Sequence, residues 1–478
     1  MTSLVFVHGW SVTNTSTYGA LPQRLQQQAS ATGMPISIAN IWLSEYVSFN
    51  DAVTMGDLVR AFDHALRDLH LTDASFACIT HSTGGPLVRE WLRAQREFPN
   101  THSTIRLSHL VMLAPANFGS ALAQLGKNFL GRANAWFNGV DPGKRILDWL
   151  ELGSSASLSL NIDHIHGNDP ATRNQFLFVL TGDRPDRKLY DHLNSYTGED
   201  GSDGVVRMAA ANLNATHAVL TRSATTTRGD TLEPNVTHAP RSAFKLIPGA
   251  AHSGDEHGIM AAAQDAVIEA TLRCLAIRDS AAYARLCDAF DQENAARDAN
   301  KVELESVGPF PARVHIHDPR SLLIVRLADD AGEALQNARF LLAAGNPPNP
   351  DWMPEGFMLD RQANKLAPNV ISFFLNYALL AGDDRVADPR SPRRNLRAAV
   401  ASHRPYTASI QPIDLDGLVH HALAAMSPAD DLLDALRPHQ TTVLDVVLPR
   451  KVHEGVFRLT QNLAPHDFAP TVPGPVIP

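Results

Sequence analysis

Short apolar runs alternate with amphipathic helical patterns over roughly the first 278 residues. Between the runs, Leu58, Phe62, Leu66 and Leu69 recur at helical spacing and predict a helix. Strands that alternate with helices are typical of a parallel sheet covered by helices. The predicted strands are Leu4 to Val7, Ile36 to Ile41, Phe76 to Thr80, Leu110 to Leu113, Phe176 to Leu180 and Phe244 to Ile247.

An insert of about sixty residues, roughly 116–175, separates two of these predicted strands, which is too long for a plain connection in a compact domain. It contains two apolar groups at helical spacing. They are Leu122, Leu125, Phe129 and Trp136, and, after Pro142-Gly143, Ile146, Leu147, Trp149 and Leu150. The pattern fits a cap or lipid-facing lid over an active site, and it fits equally a helical excursion packed on the core.

The pattern changes near Asn300. From there on, short segments rich in β-branched and aromatic residues are broken by Pro and Gly, which predicts a β-rich, sandwich-like second domain. The clearest segments are Val314 to His317, Ser321 to Leu327, Ile371 to Tyr377 and Thr441 to Leu448. We therefore expect an α/β catalytic domain over 1–300 and a β-rich domain over 301–478, whose role the sequence does not define.

Composition narrows the function classes. The chain has 478 residues, of which 44% are hydrophobic and 19% charged, as expected of a globular protein that buries a core. A net charge of -9 without a long Lys/Arg run argues against nucleic acid as a partner. Three widely spaced cysteines, Cys78, Cys274 and Cys287, form neither a disulfide framework nor a metal-binding pattern.

Targeting signals are not evident. The start of the chain lacks the features of a secretory signal, and no apolar run of around 20 residues predicts a membrane span. The expected location is therefore the cytoplasm by default, although export by a route without a signal peptide fits as well.

The strongest chemical signal is the turn His81-Ser82-Thr83-Gly84-Gly85, which follows a predicted strand and precedes a predicted helix. A serine is a weak nucleophile until a neighbouring base removes its proton, so a catalytic serine must be exposed on a tight turn. Ser82 is the candidate nucleophile. Thr80 departs from the Gly-x-Ser-x-Gly pattern because it puts a β-branched side chain where glycine is commoner.

Upstream, the strand Leu4 to Val7 ends in His8-Gly9-Trp10. A loop in this position supplies one backbone N–H of the oxyanion hole, and the residue after the nucleophile supplies the other. We assign these to Trp10 and Thr83, and we expect His8 to hold the loop.

The order nucleophile, acid, base directs the search for the remaining groups downstream. His252 lies directly after the last predicted strand of the sheet, with His257 as the alternative, in a helix expected to start near Asp255. Asp203, in Gly201-Ser202-Asp203-Gly204-Val205-Val206, is the candidate acid, and Asp183 is its rival.

Together these motifs resemble bacterial lipases and related esterases of the α/β-hydrolase superfamily, which includes phospholipase-like relatives. The resemblance covers about residues 1 to 278. It implies a helix-covered, mainly parallel sheet, and it favours Asp203, because such lipases carry the acid in an Asp-Gly-Val-Val segment. For residues 300 to 478 the sequence suggests no particular family.

The sequence thus predicts a carboxylic ester hydrolase that acts through Ser82, His252 and Asp203 on lipid or long-chain esters, without a cofactor or metal. Transient contact with a membrane surface fits this function, and the oligomeric state is left open. The alternatives are a phospholipase or acyltransferase, including an exported toxin, and a non-catalytic binding protein on a hydrolase scaffold. Histidine pairs such as His164 with His166, and His315 with His317, are expected to be structural and not metal ligands.

Overall fold

A computed structural model describes residues 2–7, 17–43, 46, 50–71, 75–99, 105–126, 143–184, 199–222, 231–254, 256–260, 264–307, 310–413 and 419–452. In chain order the described strands are β1 Thr2–Val7, β2 Ile36–Ile41, β3 Ser75–His81, β4 Arg106–Leu113, β5 Phe176–Gly182, β6 Thr216–Arg222, β7 Thr231–His238, β8 Ala243–Ile247, β9 Val302–Val307, β10 Phe310–Ile316, β11 Arg320–Asp329, β12 Ala338–Ala344, β13 Met358–Ala363, β14 Val370–Asn376, β15 Val386–Asp388, β16 Ser391–Arg397, β17 Tyr406–Pro412, β18 Val419–His421, β19 Ala424–Met426, β20 Thr441–Leu448 and β21 Arg450–Val452. The described α-helices are α1 Leu21–Ala31, α2 Met55–Asp68, α3 Gly84–Glu97, α4 Ala121–Gly126, α5 Lys144–Leu150, α6 Ser155–His166, α7 Met208–Ala211, α8 Asp265–Leu275, α9 Ser280–Ala299 and α10 Tyr377–Ala381.

The apolar runs predicted as strands form one parallel sheet, in the order β2-β1-β3-β4-β5-β8. Their side chains alternate between two apolar clusters. Val5 and Cys78 contribute to one cluster, while Phe6 and Ile79 contribute to the other. Because both faces are covered, the strands are apolar at almost every position, which is why the sequence revealed them. The predicted α/β-hydrolase architecture is confirmed.

Helices lie against both faces of this sheet. α1, α8 and α9 contribute buried side chains to one apolar cluster, and α2, α3, α5 and α6 contribute to the other. α2 begins three residues before the predicted Leu58, because Thr54 and Asp57 form a reciprocal capping box at its N-terminus. Leu58, Phe62 and Leu66 are buried on its inner face, as the spacing predicted.

The described part of the insert packs on the core. Ile146, Leu147, Trp149 and Leu150 lie on α5 and are buried in the same cluster as α2 and α3. Leu122 lies on α4 and packs against this cluster. Phe129 and Trp136 of the first group are outside the described residues. The described helices therefore extend the core. The prediction of a lid stays a prediction, because residues 127–142 of the insert lie outside the described ranges.

The C-terminal half is β-rich, as predicted, but its main sheet recruits two strands from earlier in the chain. The nine strands described in it follow the order β12-β17-β19-β7-β6-β20-β11-β14-β13. β6 and β7 come from the segment between β5 and β8, so this sheet draws on both sides of the predicted boundary at residue 300. The sequence did not reveal β7, which carries polar residues and Pro234.

One face of this second sheet completes the core of the first. Leu322, Ile324, Val370 and Val443 belong to the apolar cluster that contains α2, α3 and α5. The approach is close at Gly153, where an added Cβ would lie 2.5 Å from Val370 Cγ1. The two sheets therefore share a packed interior.

Candidate active site

Ser82 occupies the turn between β3 and α3 in a strained backbone conformation. Its φ is +52°, in the left-handed region that non-glycine residues rarely adopt. Its N–H donates to the Leu113 carbonyl at 3.0 Å, and its carbonyl accepts from the Gly85 N–H at 3.2 Å. Such strain is characteristic of functional turns and is maintained by surrounding contacts. Bonds from β4 and α3 therefore hold the backbone of the turn in place.

Glycines make room for the unusual Thr80. A Cβ on Gly84 would lie 3.2 Å from the Thr80 Cβ and 3.3 Å from the Val7 carbonyl oxygen. A Cβ on Gly85 would lie only 2.7 Å from the Pro115 Cβ. The close packing of strand and helix thus depends on the glycines after the serine, so a β-branched residue before it is accommodated.

His252 lies in the loop after β8 with its ring between a serine and a carboxylate. Its Nε2 is 3.1 Å from Ser82 Oγ, and its Nδ1 is 2.9 Å from Asp203 Oδ2. The backbone reinforces this arrangement, because the His252 N–H donates to the Asp203 carbonyl at 2.9 Å. All three side chains are buried.

Asp203 is fully buried and its carboxylate is saturated with donors. Oδ1 accepts from the N–H groups of Val205 at 3.0 Å and Val206 at 2.7 Å, which leaves Oδ2 to face His252. Both N–H groups belong to the segment that directly follows Asp203. The residues that follow the aspartate therefore fix which oxygen meets the imidazole.

The two alternatives that the sequence left open, Asp183 and His257, have other hydrogen-bond partners. Asp183 accepts from the Gly249 N–H at 2.7 Å and from the Arg297 guanidinium at 2.8 Å, and so it braces the loop that leads to His252. His257 is exposed, and its carbonyl accepts from the Ala251 N–H. The helix expected near Asp255 begins instead at Asp265.

The two residues assigned to the oxyanion hole differ in what can be described. Thr83 lies at the N-terminus of α3, and its N–H has no hydrogen-bond partner within the described residues. A free N–H at a helix N-terminus is suited to an anion. Trp10, with His8 and Gly9, lies outside the described residues, so its assignment stays a prediction.

His81 is a neighbour of the site that the sequence analysis did not single out. Its Nε2 lies 3.0 Å from the His252 carbonyl oxygen, and the two imidazole rings are 4.7 Å apart. His81 thus touches both the backbone and the ring of His252. Its position next to Ser82 was the only signal that the sequence offered.

Arg207 was also missed, although it follows Asp203-Gly204-Val205-Val206 directly. Its buried guanidinium binds Glu199 through two hydrogen bonds and Asp360 of β13 at 2.5 Å, and it lies over the Phe374 ring at 4.3 Å. Burial disfavours the charge, but the two carboxylates outweigh it and raise the pKa of Arg207. The loop that carries Asp203 is therefore anchored to the second sheet. A charged residue in the apolar run from Val205 to Ala211 was the available signal.

Histidines outside the site form local contacts. His166 Nε2 is 2.7 Å from His217 Nδ1, and His217 Nε2 is 2.9 Å from Asp445. His317 Nε2 is 2.7 Å from Glu303. Within the ranges that the structure describes, no group of three or more His, Cys, Asp or Glu side chains is arranged to hold a metal ion. Among the helices so described, none is long and apolar enough to cross a membrane.

The helix-covered parallel sheet, the strained serine turn and the downstream histidine and aspartate define an α/β-hydrolase. The whole chain matches phospholipase PlaB from Legionella pneumophila with 36% identity and a TM-score of 0.83, over 100% of both chains. The same protein in complex with thio-NAD matches with 35% identity and a TM-score of 0.82, again over 100% of both. The chain therefore belongs to the family of this phospholipase and is a hydrolase.

Other comparisons add little. The Bacillus licheniformis lipase BlEst2 matches with 17% identity and a TM-score of 0.33, over 44% of this chain and 79% of the lipase, which is too remote to carry an argument. No protein-family model matches the chain, and no curated protein matches it significantly.

Proposed function

We propose that this protein hydrolyses carboxylic esters of lipids, with Ser82 as nucleophile, His252 as general base and Asp203 as the acid that orients the imidazole. One observation carries the proposal: an unbroken set of hydrogen-bond distances runs from Ser82 Oγ through both ring nitrogens of His252 to Asp203. A non-catalytic scaffold would have no need to keep this arrangement at a strained turn.

The reaction begins when Ser82 Oγ attacks the ester carbonyl carbon while His252 Nε2 takes the hydroxyl proton. Asp203 holds the Nδ1–H tautomer and stabilises the imidazolium that forms. The tetrahedral intermediate collapses as His252 returns the proton to the leaving alcohol, which leaves an acyl-serine. Water, deprotonated by the same imidazole, then releases the fatty acid and restores the serine.

Negative charge develops on the carbonyl oxygen during both steps. The Thr83 N–H at the start of α3 supports one hydrogen bond to that oxygen, and we assign the second to the Trp10 N–H. The helix dipole of α3 adds favourable electrostatics at the same point. Each step thus uses groups of the chain and water.

Phospholipid is the substrate class that we favour within lipid esters. The support is the family, because a relative that is 36% identical over the whole chain is a phospholipase. Catalysis on such substrates would involve transient contact between the enzyme and a membrane surface.

Replacement of Ser82 by Ala tests the proposal. We expect kcat for p-nitrophenyl esters and for phosphatidylcholine vesicles to fall by about 10⁶-fold, as for other nucleophile deletions. Ser159→Ala, at an exposed serine of α6, is the matched control and should keep full activity. A fluorophosphonate probe should label the wild type and the control, and should not label Ser82→Ala.

Retained turnover or retained labelling of Ser82→Ala would overturn the assignment of Ser82 as the nucleophile. If the wild type turns over p-nitrophenyl esters but releases no fatty acid from the vesicles, the assignment of Ser82 stands and phospholipid is rejected as the substrate. Addition of an acceptor alcohol to the same assay separates hydrolysis from acyl transfer, because only transfer yields a new ester.

A further inference from the structure

A cavity of about 210 Å³ lies between α3, α6 and the segment that leads into β5. Gln175 and Leu177, at the amino end of β5, are among its lining residues, whereas Ser82 follows the carboxyl end of β3. Since β3, β4 and β5 are parallel, the cavity and the serine lie at opposite ends of the sheet. The cavity is therefore separate from the active site.

Arg89 of α3 lines this cavity as a buried cation that donates to no carboxylate among the described residues. Its guanidinium donates to Asn117 Oδ1 at 3.1 Å and to Asn161 Oδ1 at 2.9 Å, both neutral acceptors. Burial lowers the pKa of Arg89 to about 9. Burial of a charge costs folding free energy, and an anion bound in the cavity would offset part of this cost.

His164 of α6 presents a second unsatisfied group. Its Nε2 is buried and has no hydrogen-bond partner in the part of the chain that the structure describes. Burial, assisted by the charges of Arg89 and Arg96, lowers the pKa of His164 to about 3, so the imidazole is neutral at physiological pH. A buried polar atom without a partner needs an explanation, and a ligand that is absent from the structure provides one.

Two further arginines line the cavity. Arg96 forms an ion pair with Asp163 at 2.5 Å, and Asp163 is the only carboxylate among the described lining residues. Arg173 is exposed, and within the described ranges it has no carboxylate partner. Three guanidinium groups thus face one carboxylate, which leaves a net positive cavity.

We propose that this cavity is a binding site for a phosphate group, held by Arg89, Arg96 and Arg173 with a hydrogen bond from His164. Guanidinium groups match the geometry of phosphate oxygens and form strong, charge-assisted hydrogen bonds with them. The volume suits a compact anion. The phosphate comes either free in solution or on the glycerol of a phospholipid fragment, since both offer the same oxygens.

Calorimetric titration of the full chain with inorganic phosphate and with glycerol 3-phosphate, at constant ionic strength, tests the proposal. We expect saturable binding that weakens at least tenfold in Arg173→Gln. Arg285→Gln, at an exposed arginine of α9, removes the same charge elsewhere and should bind as the wild type does. His164→Leu should weaken binding more than His164→Gln, which keeps an N–H donor.

Thermal unfolding provides a second measurement, because a ligand that binds only the folded state raises the midpoint. Phosphate should raise it for the wild type and Arg285→Gln, and much less for Arg173→Gln. Tighter binding of glycerol 3-phosphate than of phosphate would assign the site to lipid fragments, and equal or weaker binding would assign it to free phosphate.

If neither inorganic phosphate nor glycerol 3-phosphate binds at millimolar concentration, the proposed binding site is refuted. Equal weakening by Arg173→Gln and Arg285→Gln would do the same, since it would reduce the effect to overall charge. The titrations are repeated in Ser82→Ala, where unchanged binding is expected. Loss of binding in that variant would place the anion at the serine instead and would also refute the inference.

Discussion

Replacement of Asp203 by Asn is the most direct test of how the carboxylate acts. The substitution keeps the shape of the side chain but converts one acceptor oxygen into a donor. The structure dictates which one. The Val205 and Val206 N–H groups both point at Oδ1, so an amide group there would leave two buried donors facing a third. The asparagine must therefore place its oxygen at Oδ1 and its NH2 toward His252.

The consequence is the wrong histidine tautomer. With an NH2 opposite it, His252 Nδ1 must accept a hydrogen bond, so its proton moves to Nε2, 3.1 Å from Ser82 Oγ. A protonated Nε2 cannot take the serine proton. We expect kcat to fall by about 10⁴-fold, as for the same change in another serine hydrolase. This corresponds to a rise of about 5 kcal/mol in the activation free energy.

The assay is kcat for a p-nitrophenyl ester together with the thermal midpoint of unfolding. Asp183→Asn is the matched control, because the Asp183 carboxylate contacts the loop that leads to His252 but binds Gly249 and Arg297 and not the imidazole. It should lower kcat by less than about tenfold, a small share of the 10⁴-fold expected above. The reasoning fails if Asp203→Asn keeps more than a tenth of the wild-type kcat, or if both variants lose the same amount while folded.

Three other expectations follow from the packing and the charges. Gly182→Ala would place a Cβ 1.9 Å from the Ala250 carbonyl oxygen, and should lower kcat by displacing the loop after β8; unchanged kcat would contradict this. Asp360→Asn removes one of the two carboxylates that face the buried Arg207, and should lower the free energy of unfolding in urea titrations by about 1 kcal/mol, whereas an unchanged midpoint would show that the charge of Asp360 stabilises nothing. Because the pKa of His164 is about 3 when folded and near 6.5 when unfolded, the unfolded chain binds the extra proton and stability should fall as pH drops from about 6.5 toward 3. His164→Gln should flatten that pH dependence in thermal unfolding, and identical slopes would contradict the assignment.

The strands of the first sheet could be predicted because each is marked by apolar residues within its own segment. Its inner strands β1, β3 and β5 are buried on both faces and are nearly continuous apolar runs, whereas the edge strand β2 is only partly buried. β6 and β7 were not predictable, because His217, Glu233 and Asn235 interrupt their apolar residues. β6 also pairs with β20, and nothing in either segment identifies so distant a partner.

The candidate site likewise contains residues that the sequence predicted and residues that it did not. Ser82, Asp203 and His252 were predicted from turn residues, from their order along the chain and, for Asp203, from the family resemblance. The choice between Asp203 and Asp183 depended on a contact that the sequence does not show, namely that Arg297 pairs with Asp183. The role of Arg207 could not be predicted, because its partner Asp360 lies 153 positions further along the chain.

The position of β6 also governs when the protein can fold. β6 is made before β8, but its partner β20 emerges from the ribosome only after residues 223–440 have been synthesised. Until then one edge of β6 has no partner, and Thr441 of β20 cannot donate its side-chain hydrogen bond to the Ala209 carbonyl in α7, just after Arg207. Pairings between distant segments form late. Nascent chains that lack β20 therefore lack this support for the segment that carries Asp203, so we expect hydrolase activity only after β20 has been synthesised.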